Sequence, residues 1–167
     1  FLMKLPGDFF GTFMPELQER NMKIQLIGFI DELPEATKSI VLKAVEDTKN
    51  NTGMVLTFAL NYGSRAEIIE ATKAISRLVK QGELEIEKID EAIFESHLQT
   101  QFLGELQNPD LMIRTSGEVR LSNFLLWQLA YSEYYFTDIF WPDFSEEDLH
   151  KAIQTYQSRH RRYGGLA

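Results

Sequence analysis

Residues 54–82, MVLTFALNYGSRAEIIEATKAISRLVKQG, determine the fold class of this chain. The first seven residues form an almost continuous apolar run that stops at Asn61 and Gly63, which is typical of a strand buried on both faces. Ser64 and Glu67 have the spacing of a capping box and predict the start of a helix, which Gly82 ends. A buried strand followed directly by a capped helix is the repeating unit of α/β proteins.

The same alternation extends on both sides of this segment. Apolar residues at helical spacing predict a helix over residues 1–20, and the pattern of residues 23–28 predicts a strand. The remaining predicted elements are a helix from Pro34, a short helix capped by Asp90, strands at 111–115 and 134–140, and helices at 123–133 and 145–161. We therefore predict a single α/β domain over residues 1–167, with a mainly parallel central sheet flanked by helices.

The amino-acid composition argues against some classes of function. Among 167 residues, Lys and Arg number 17 against 25 Asp and Glu, which gives a formal net charge of -8. Because contacts to phosphate backbones need a basic face, this charge argues against general nucleic-acid binding, and any anion site must be local. No cysteine is present, which excludes disulfides and thiolate chemistry within these residues. No apolar run approaches the roughly 20 residues of a membrane helix, so we expect a cytoplasmic protein.

The loop in IRTSGEVRLSN, residues 113–123, is the best candidate for such a site. It follows a predicted strand, and ligands of parallel sheets bind beyond the carboxyl ends of the strands. Gly117 lets the backbone approach a ligand closely. Ser122 or Asn123 is expected to cap the next helix, whose free N–H groups suit an anion. With Arg114 and Arg120 in the same loop, the pattern predicts a cradle for a diphosphate.

A structural interpretation of the two arginines stays open from the residues alone. A buried guanidinium without a partner loses several kcal/mol of hydration, so it needs an anion. Glu118 or Glu133 can supply that anion from within the chain, as part of an internal ion-pair network.

Four segments carry a more specific resemblance, and together they cover nearly all of the chain. DLMIRTSGEVRLSNFLLWQLAYSEYYFTDIFWPDFSEEDLHKAI (110–153) and RRYGGL (161–166) closely resemble the cis-prenyltransferases, in particular the bacterial undecaprenyl diphosphate synthases. GFIDELPE (28–35) and FALNYGSRAEI (58–68) resemble earlier segments of the same family. The resemblance implies a homodimeric transferase that uses Mg²⁺ to condense isopentenyl diphosphate with farnesyl diphosphate. Its product would be the undecaprenyl diphosphate that carries cell-wall precursors.

The resemblance also implies roles for individual residues. Arg114 and Arg120 would hold the diphosphate of isopentenyl diphosphate, and Glu133 would bind the metal. The residues expected to complete or support the diphosphate site are the Leu121 backbone, Ser122, Glu118 and, reaching across the dimer from the C-terminal Arg-x-Gly motif, Arg162 and Gly164.

The sequence departs from the family pattern in two respects. The Met-Asp-Gly-Asn-Gly-Arg-Trp motif, whose aspartate binds Mg²⁺ and is required for catalysis, is absent from these residues, and so is the Ser-Thr-Glu-Asn-Trp segment. We therefore expect the C-terminal two-thirds of such an enzyme without its N-terminal strands, and little or no transferase activity from these residues alone. Val119 stands where many relatives carry a polar residue, so a metal contact from that position is not expected.

The apolar residues Phe9, Phe10, Phe13 and Met14, with residues 55–60, have two interpretations. Their periodicity alone favours the protein core, whereas the resemblance implies the lining of a prenyl tunnel. Asp138 follows a predicted strand, where a turn role is favoured over a place beside the metal.

Two further classes of function compete with the transferase. One is a non-catalytic protein, either a partner subunit of an active enzyme or a prenyl diphosphate-binding module, and the other is an unrelated phosphate-binding α/β domain. The presence of Arg114, Arg120, Ser122 and Glu133 favours the transferase, because a scaffold needs no charged anion cradle. Since the product of the resembled enzymes is a membrane lipid, peripheral contact with the inner face of the membrane is also expected.

Overall fold

A computed structural model describes residues 5–159 of the chain. The α-helices and strands follow one another in the order α1 (Leu5–Glu19), β1 (Lys23–Ile27), α2 (Glu35–Asp47), β2 (Val55–Ala59), α3 (Ser64–Gln81), α4 (Glu91–Glu95), β3 (Leu111–Arg114), β4 (Glu133–Phe136) and α5 (Glu146–Ser158). Both strand pairs, β1–β2 and β3–β4, are parallel. The predicted α/β class is confirmed. The chain divides after Gln101 into two compact units, and the single domain over residues 1–167 stays a prediction.

The first unit is built on the β1–β2 pair, whose register runs from Lys23 opposite Val55 to Ile27 opposite Ala59. Helix α2 connects the two strands, as parallel pairing requires. One hydrophobic cluster unites α1, β1 and α2, and its buried members are Phe10, Leu17, Ile24, Leu33, Val41 and Ala44. Ile24 and Val41 are fully buried, and burying a side chain of this size contributes about 1.5–3 kcal/mol.

The C-terminal end of α3 and the start of α4 follow their local signals, whereas the start of α3 does not. Gly82 ends α3 in the left-handed conformation, with φ 75°, which glycine adopts without steric cost. The predicted capping box of Ser64 and Glu67 does not start α3: the N-cap is Gly63, without a side-chain cap, and the Glu67 carboxylate accepts from the Tyr62 hydroxyl and the Gln99 N–H instead. Asp90 caps α4 as predicted, because its carboxylate accepts a hydrogen bond from the Ile93 N–H at 2.8 Å.

The second unit is built on the β3–β4 pair, in which Leu111 lies opposite Glu133 and Arg114 opposite Phe136. Strand β4 ends at Phe136, four residues before the predicted end. Helix α5 starts with the predicted capping box. Ser145 Oγ donates to Asp148 Oδ2 at 2.7 Å, and the Asp148 N–H donates back to Ser145 Oγ at 3.3 Å.

The predicted helix over residues 123–133 is wrong. Ser122, Asn123 and Leu125 have φ values of 51°, 65° and 45°, whereas a right-handed helix needs φ near −63°. Residues 122–131 form successive turns and bends instead. The burial that the apolar run predicted is found only in part: Leu125 and Leu129 are buried, whereas Phe124, Leu126 and Tyr131 are exposed. Burial alone does not decide the backbone conformation, because a short apolar run suits several of them.

Within residues 5–159, no helix combines the length and the apolar character that crossing a bilayer demands.

The capping box makes the stability of α5 depend on pH. The Ser145 hydroxyl, the Ser145 N–H and Lys151 hold the pKa of Asp148 down, from 3.8 to about 2. A carboxylate with a lowered pKa stabilises the folded state above its unfolded pKa, and this contribution is lost as pH falls through the folded pKa. We therefore expect wild type to lose stability more steeply than Asp148→Asn between pH 4 and 2. Urea unfolding at a series of pH values measures this, and parallel curves for the two proteins would contradict it.

Candidate functional site

The arginine loop, residues 114–120, lies against the segment that follows β4. The Thr137 N–H donates to the Arg114 carbonyl at 3.0 Å, the Gly117 N–H to the Thr137 carbonyl at 2.9 Å and the Ser116 N–H to the Ile139 carbonyl at 2.8 Å. These bonds join the two loops at the carboxyl ends of neighbouring parallel strands, which is where such sheets bind ligands. The predicted position of the loop at this edge is confirmed.

Gly117 occupies a position where a side chain would be strained and crowded. Its φ is 67°, and a Cβ built there would lie 3.1 Å from Asp138 Oδ1. The Asp138 carboxylate is therefore the immediate neighbour of the loop backbone. The position of Asp138 after a strand predicts a turn role, and no pattern in the sequence places its carboxylate beside Gly117.

The two arginines of the loop differ in their partners. Arg120 forms an ion pair with Glu118, and the side chains are 64% and 36% exposed. Arg120 therefore has a carboxylate partner within the chain, as the structural interpretation of the arginines allows. An ion pair this exposed contributes at most about 1 kcal/mol to stability. Arg114 is partly buried. Its guanidinium forms no ion pair or hydrogen bond with another residue of the range 5–159. Arg114 is therefore the cation of this loop that is available to a ligand.

Leu121 and Ser122 follow the loop in a turn rather than at the start of a helix. Ser122 has φ 51°, and the Leu121 carbonyl accepts a hydrogen bond from the Phe124 N–H at 3.1 Å. The expected helix N-terminus, with its free N–H groups and dipole, is not formed here. That part of the predicted anion cradle is wrong, because an array of N–H groups pointing one way requires several consecutive helical residues.

Glu133 is not brought together with Arg114. Glu133 starts β4 opposite Leu111, whereas Arg114 ends β3 opposite Phe136, three residues or about 10 Å further along the strand. Glu133 Oε2 instead accepts a hydrogen bond from Arg159 Nη1 at 2.6 Å. No cluster of three or more His, Cys, Asp or Glu side chains suited to a metal occurs in the described part of the chain.

Sequence reasoning did not identify Arg159 as the partner of Glu133. The two residues are 26 positions apart, and no local pattern connects a strand residue with the end of a later helix. Arg162 and Gly164, expected to reach a partner's diphosphate site, lie outside the described residues.

An apolar cavity of about 440 Å³ lies between α1, α2 and the end of β2. Its lining residues are mostly aliphatic or aromatic: Leu5, Pro6, Phe9, Phe10, Leu33, Thr37, Phe58, Ala59, Leu60 and Asn61. The rings of Phe9 and Phe10 both lie 5.3 Å from the ring of Phe58. Phe9 and Phe10 therefore belong both to the core, as periodicity indicated, and to a wall of a cavity. Neither Phe13 nor Met14 is among the lining residues.

Comparisons with known proteins place these features in context. A family model described as "Putative undecaprenyl diphosphate synthase" matches residues 1–164. The chain is 57% identical over 166 residues to the ditrans,polycis-undecaprenyl-diphosphate synthase ((2E,6E)-farnesyl-diphosphate specific) of Micrococcus luteus, covering 99% of this chain and 66% of that protein. It is 52% identical over 166 residues to the isoprenyl transferase of Bacillus subtilis (strain 168), covering 99% and 63%.

A solved structure agrees with this result. The crystal structure of lavandulyl diphosphate synthase from Lavandula x intermedia, in complex with dimethylallyl diphosphate, matches with a TM-score of 0.94 and 40% identity. The match covers 98% of this chain and 70% of that one. The chain thus spans about two thirds of the length of the relatives that it matches.

Proposed function

Because the chain belongs to the undecaprenyl diphosphate synthase family of cis-prenyltransferases, we propose that its arginine loop binds the diphosphate group of isopentenyl diphosphate. The proposed reaction adds isopentenyl units one after another to farnesyl diphosphate, releases one diphosphate at each addition and yields undecaprenyl diphosphate, the precursor of the lipid carrier of cell-wall synthesis. The observation that carries the proposal is the guanidinium of Arg114, the residue that ends β3, which forms no hydrogen bond or ion pair with another residue of the range 5–159.

The chemistry of the loop suits a diphosphate. A guanidinium donates charge-assisted hydrogen bonds to phosphate oxygens, often two at once. In each proposed addition the allylic C1–O bond breaks and releases diphosphate, and the isopentenyl double bond supplies the electron pair of the new bond to C1. A proton then leaves the isopentenyl unit for the released diphosphate or water, and its electron pair forms the new double bond. The isopentenyl diphosphate group is not cleaved in this step, so Arg114 and Arg120 would position the nucleophilic double bond rather than stabilise the leaving group. Glu118 would orient Arg120, while the Leu121 backbone and Ser122 would border the same group.

Magnesium is the proposed cofactor, with Glu133 as its protein ligand. Glu133 Oε2 accepts from Arg159, while Oε1 has no hydrogen-bond partner within residues 5–159. One carboxylate combined with phosphate oxygens and water is a common ligand set for Mg²⁺. Glu133 is, however, paired with Arg159 and starts β4, about 10 Å along the strand pair from Arg114, so the described residues do not by themselves form the metal site. When bound, Mg²⁺ would neutralise charge on diphosphate oxygens.

The apolar cavity of the first unit is the proposed site of the growing prenyl chain. Its volume of about 440 Å³ lies within the range of ligand pockets in proteins. Each methylene group that enters it from water would contribute roughly 0.8 kcal/mol. Phe9, Phe10 and Phe58 supply an aromatic wall without charged groups.

The remaining proposals rest on family membership. We propose a homodimer in the cytoplasm, with Arg162 and Gly164 at the partner's diphosphate site and peripheral contact with the membrane that receives the product. The catalytic aspartate motif of the family is absent from these 167 residues. A polypeptide of these residues alone is therefore expected to show little or no turnover.

Calorimetric titration of the intact protein with isopentenyl diphosphate tests the diphosphate site. Losing a charge-assisted hydrogen bond costs about 1.5–3 kcal/mol, so Arg114→Ala should weaken binding roughly 10- to 150-fold. Arg120→Ala should weaken it less, because Arg120 is more exposed and already paired with Glu118. Arg20→Ala, which removes an exposed arginine paired with Glu16 on α1, is the control and should bind as wild type does. Unchanged affinity in Arg114→Ala would refute the assignment.

A further inference from the structure

The turn at the centre of the arginine loop holds two consecutive residues in the left-handed conformation. Ser116 has φ 68° and Gly117 has φ 67°. Glycine adopts this conformation without steric cost, whereas it is unfavourable for a residue with a Cβ, such as Ser116. Such a residue keeps a positive φ only where its surroundings hold it. The shape of this left-handed turn therefore depends on contacts from outside the arginine loop.

Those contacts come from residues 137–139, the segment that follows β4. The Ser116 N–H donates to the Ile139 carbonyl at 2.8 Å, and the Gly117 N–H donates to the Thr137 carbonyl at 2.9 Å. Both N–H groups of the left-handed turn are thus bonded within the protein. Recognition of an anion at this loop is therefore left mainly to the side chains, and their position depends on how the turn is held.

Thr137 uses all three of its polar groups at this junction. Its N–H donates to the Arg114 carbonyl at 3.0 Å, its carbonyl accepts from Gly117, and its Oγ1 accepts from the Ile139 N–H at 3.3 Å. The hydroxyl thus joins the two residues whose carbonyls hold the left-handed turn. Through these bonds, Thr137 connects the end of β3 at Arg114 with the turn that follows it.

We propose that Thr137 is a positioning residue for the arginine loop. Its hydroxyl keeps residues 137–139 in the shape that holds the left-handed turn, and the turn determines where Arg114 and Arg120 present their guanidinium groups. A loop that is already in its binding shape avoids the cost of ordering, and affinity falls in proportion when fewer molecules have that shape. This inference deepens the proposed function and rests on its assignment of the diphosphate to Arg114.

Calorimetric titration of the intact protein with isopentenyl diphosphate measures the effect of the Thr137 hydroxyl. Thr137→Val keeps the shape of the side chain without the hydroxyl, and the loss of one neutral hydrogen bond corresponds to roughly two- to tenfold weaker binding. Thr137→Ser keeps the hydroxyl and should bind as wild type does. Thr72→Val removes an exposed hydroxyl of α3 that donates to the Ile68 carbonyl and should have no effect.

Ser116→Gly shows whether the hydroxyl acts through the left-handed turn. Because glycine adopts a positive φ about as readily as a negative one, the turn then needs less support from residues 137–139. Combined with Thr137→Val, Ser116→Gly should restore most of the lost affinity. Urea unfolding checks that every variant is folded under the conditions of the titration.

Amide hydrogen exchange reports on the turn without any ligand. The N–H groups of Ser116 and Gly117 should exchange faster in Thr137→Val than in wild type or Thr137→Ser, because the carbonyls that they bind are no longer held in place. Equal exchange in all three proteins would overturn the proposed support of the turn.

The outcomes separate this inference from the proposed function. If Arg114→Ala weakens binding but Thr137→Val binds as Thr72→Val does, the positioning role is overturned and the diphosphate site stands. If Arg114→Ala binds as wild type does, the diphosphate assignment fails, and the positioning role fails with it. Weaker binding in Thr137→Val that Ser116→Gly does not restore also overturns the positioning role. Weaker binding that both Thr137→Ser and the double variant reverse supports it.

Discussion

Replacing Gly28 by alanine is expected to destabilise the protein by about 4 kcal/mol or more, an exceptional value for one methyl group. A Cβ at this position would lie 1.8 Å from the Leu60 carbonyl oxygen and 2.8 Å from its carbon. The φ of Gly28 is 119°, a conformation that residues with a Cβ rarely adopt. The overlap is with backbone, so no side-chain rotation can relieve it.

The surroundings of Gly28 prevent the backbone from moving aside. The Leu60 N–H donates to the Ile27 carbonyl at 2.9 Å, and the Phe29 N–H donates to the Asn61 carbonyl at 3.2 Å. The Gly28 N–H donates to Gln99 Oε1. Accommodating a methyl group would break several of these bonds at once, at the end of β2 beside the apolar cavity.

Urea unfolding of Gly28→Ala and of Gly11→Ala tests this expectation. A Cβ at Gly11 would meet no atom within 4 Å, and Gly11 lies inside α1. Gly11→Ala should therefore stabilise the protein by roughly 0.5–1 kcal/mol through helix propensity. An unfolding free energy for Gly28→Ala within 1 kcal/mol of wild type would show that the close approach to Leu60 is not part of the fold.

Replacing Glu67 by alanine is expected to destabilise the protein by about 3 kcal/mol. Glu67 is 1% exposed. Its carboxylate accepts hydrogen bonds from the Tyr62 hydroxyl and, at 2.8 Å, from the Gln99 N–H. Alanine would leave both donors without this acceptor in a buried place, and such groups lose their hydration on folding without compensation. The same variant also loosens Gln99, which holds Gly28.

Two matched variants show whether the buried hydrogen bonds cause this effect. Glu67→Gln has the same shape and keeps one acceptor oxygen, so we expect less than half of the loss. Glu70→Ala removes a glutamate from an exposed face of the same helix, where it pairs with Lys73 at 2.7 Å, and should cost less than about 0.5 kcal/mol. Urea unfolding compares the three proteins. A loss in Glu67→Ala no greater than that in Glu70→Ala would contradict the network.

Elements with strong local signals could be predicted from the sequence. Gly82 ends α3, Asp90 caps α4 and the Ser145–Asp148 box starts α5, as expected. Each of these three signals involves residues within about one turn of one another and can form without distant contacts. The predicted Ser64–Glu67 box did not form, because the Glu67 carboxylate is taken up by Tyr62 and by the more distant Gln99. The predicted helix over residues 123–133 had an apolar pattern without such a box at its start, and it forms turns.

The sequence by itself determined the α/β class and the place of the arginine loop after β3, because alternating apolar patterns and turn residues act locally. Only the tertiary structure decided the partners of the charged residues. Arg120 pairs with Glu118, and Arg159 pairs with Glu133. The tertiary structure likewise decided that the Gly28 N–H donates to Gln99 Oε1, 71 positions away. Any two opposite charges that the fold brings close together attract each other. Which charges come close depends on the path of the whole chain and not on their spacing along the sequence.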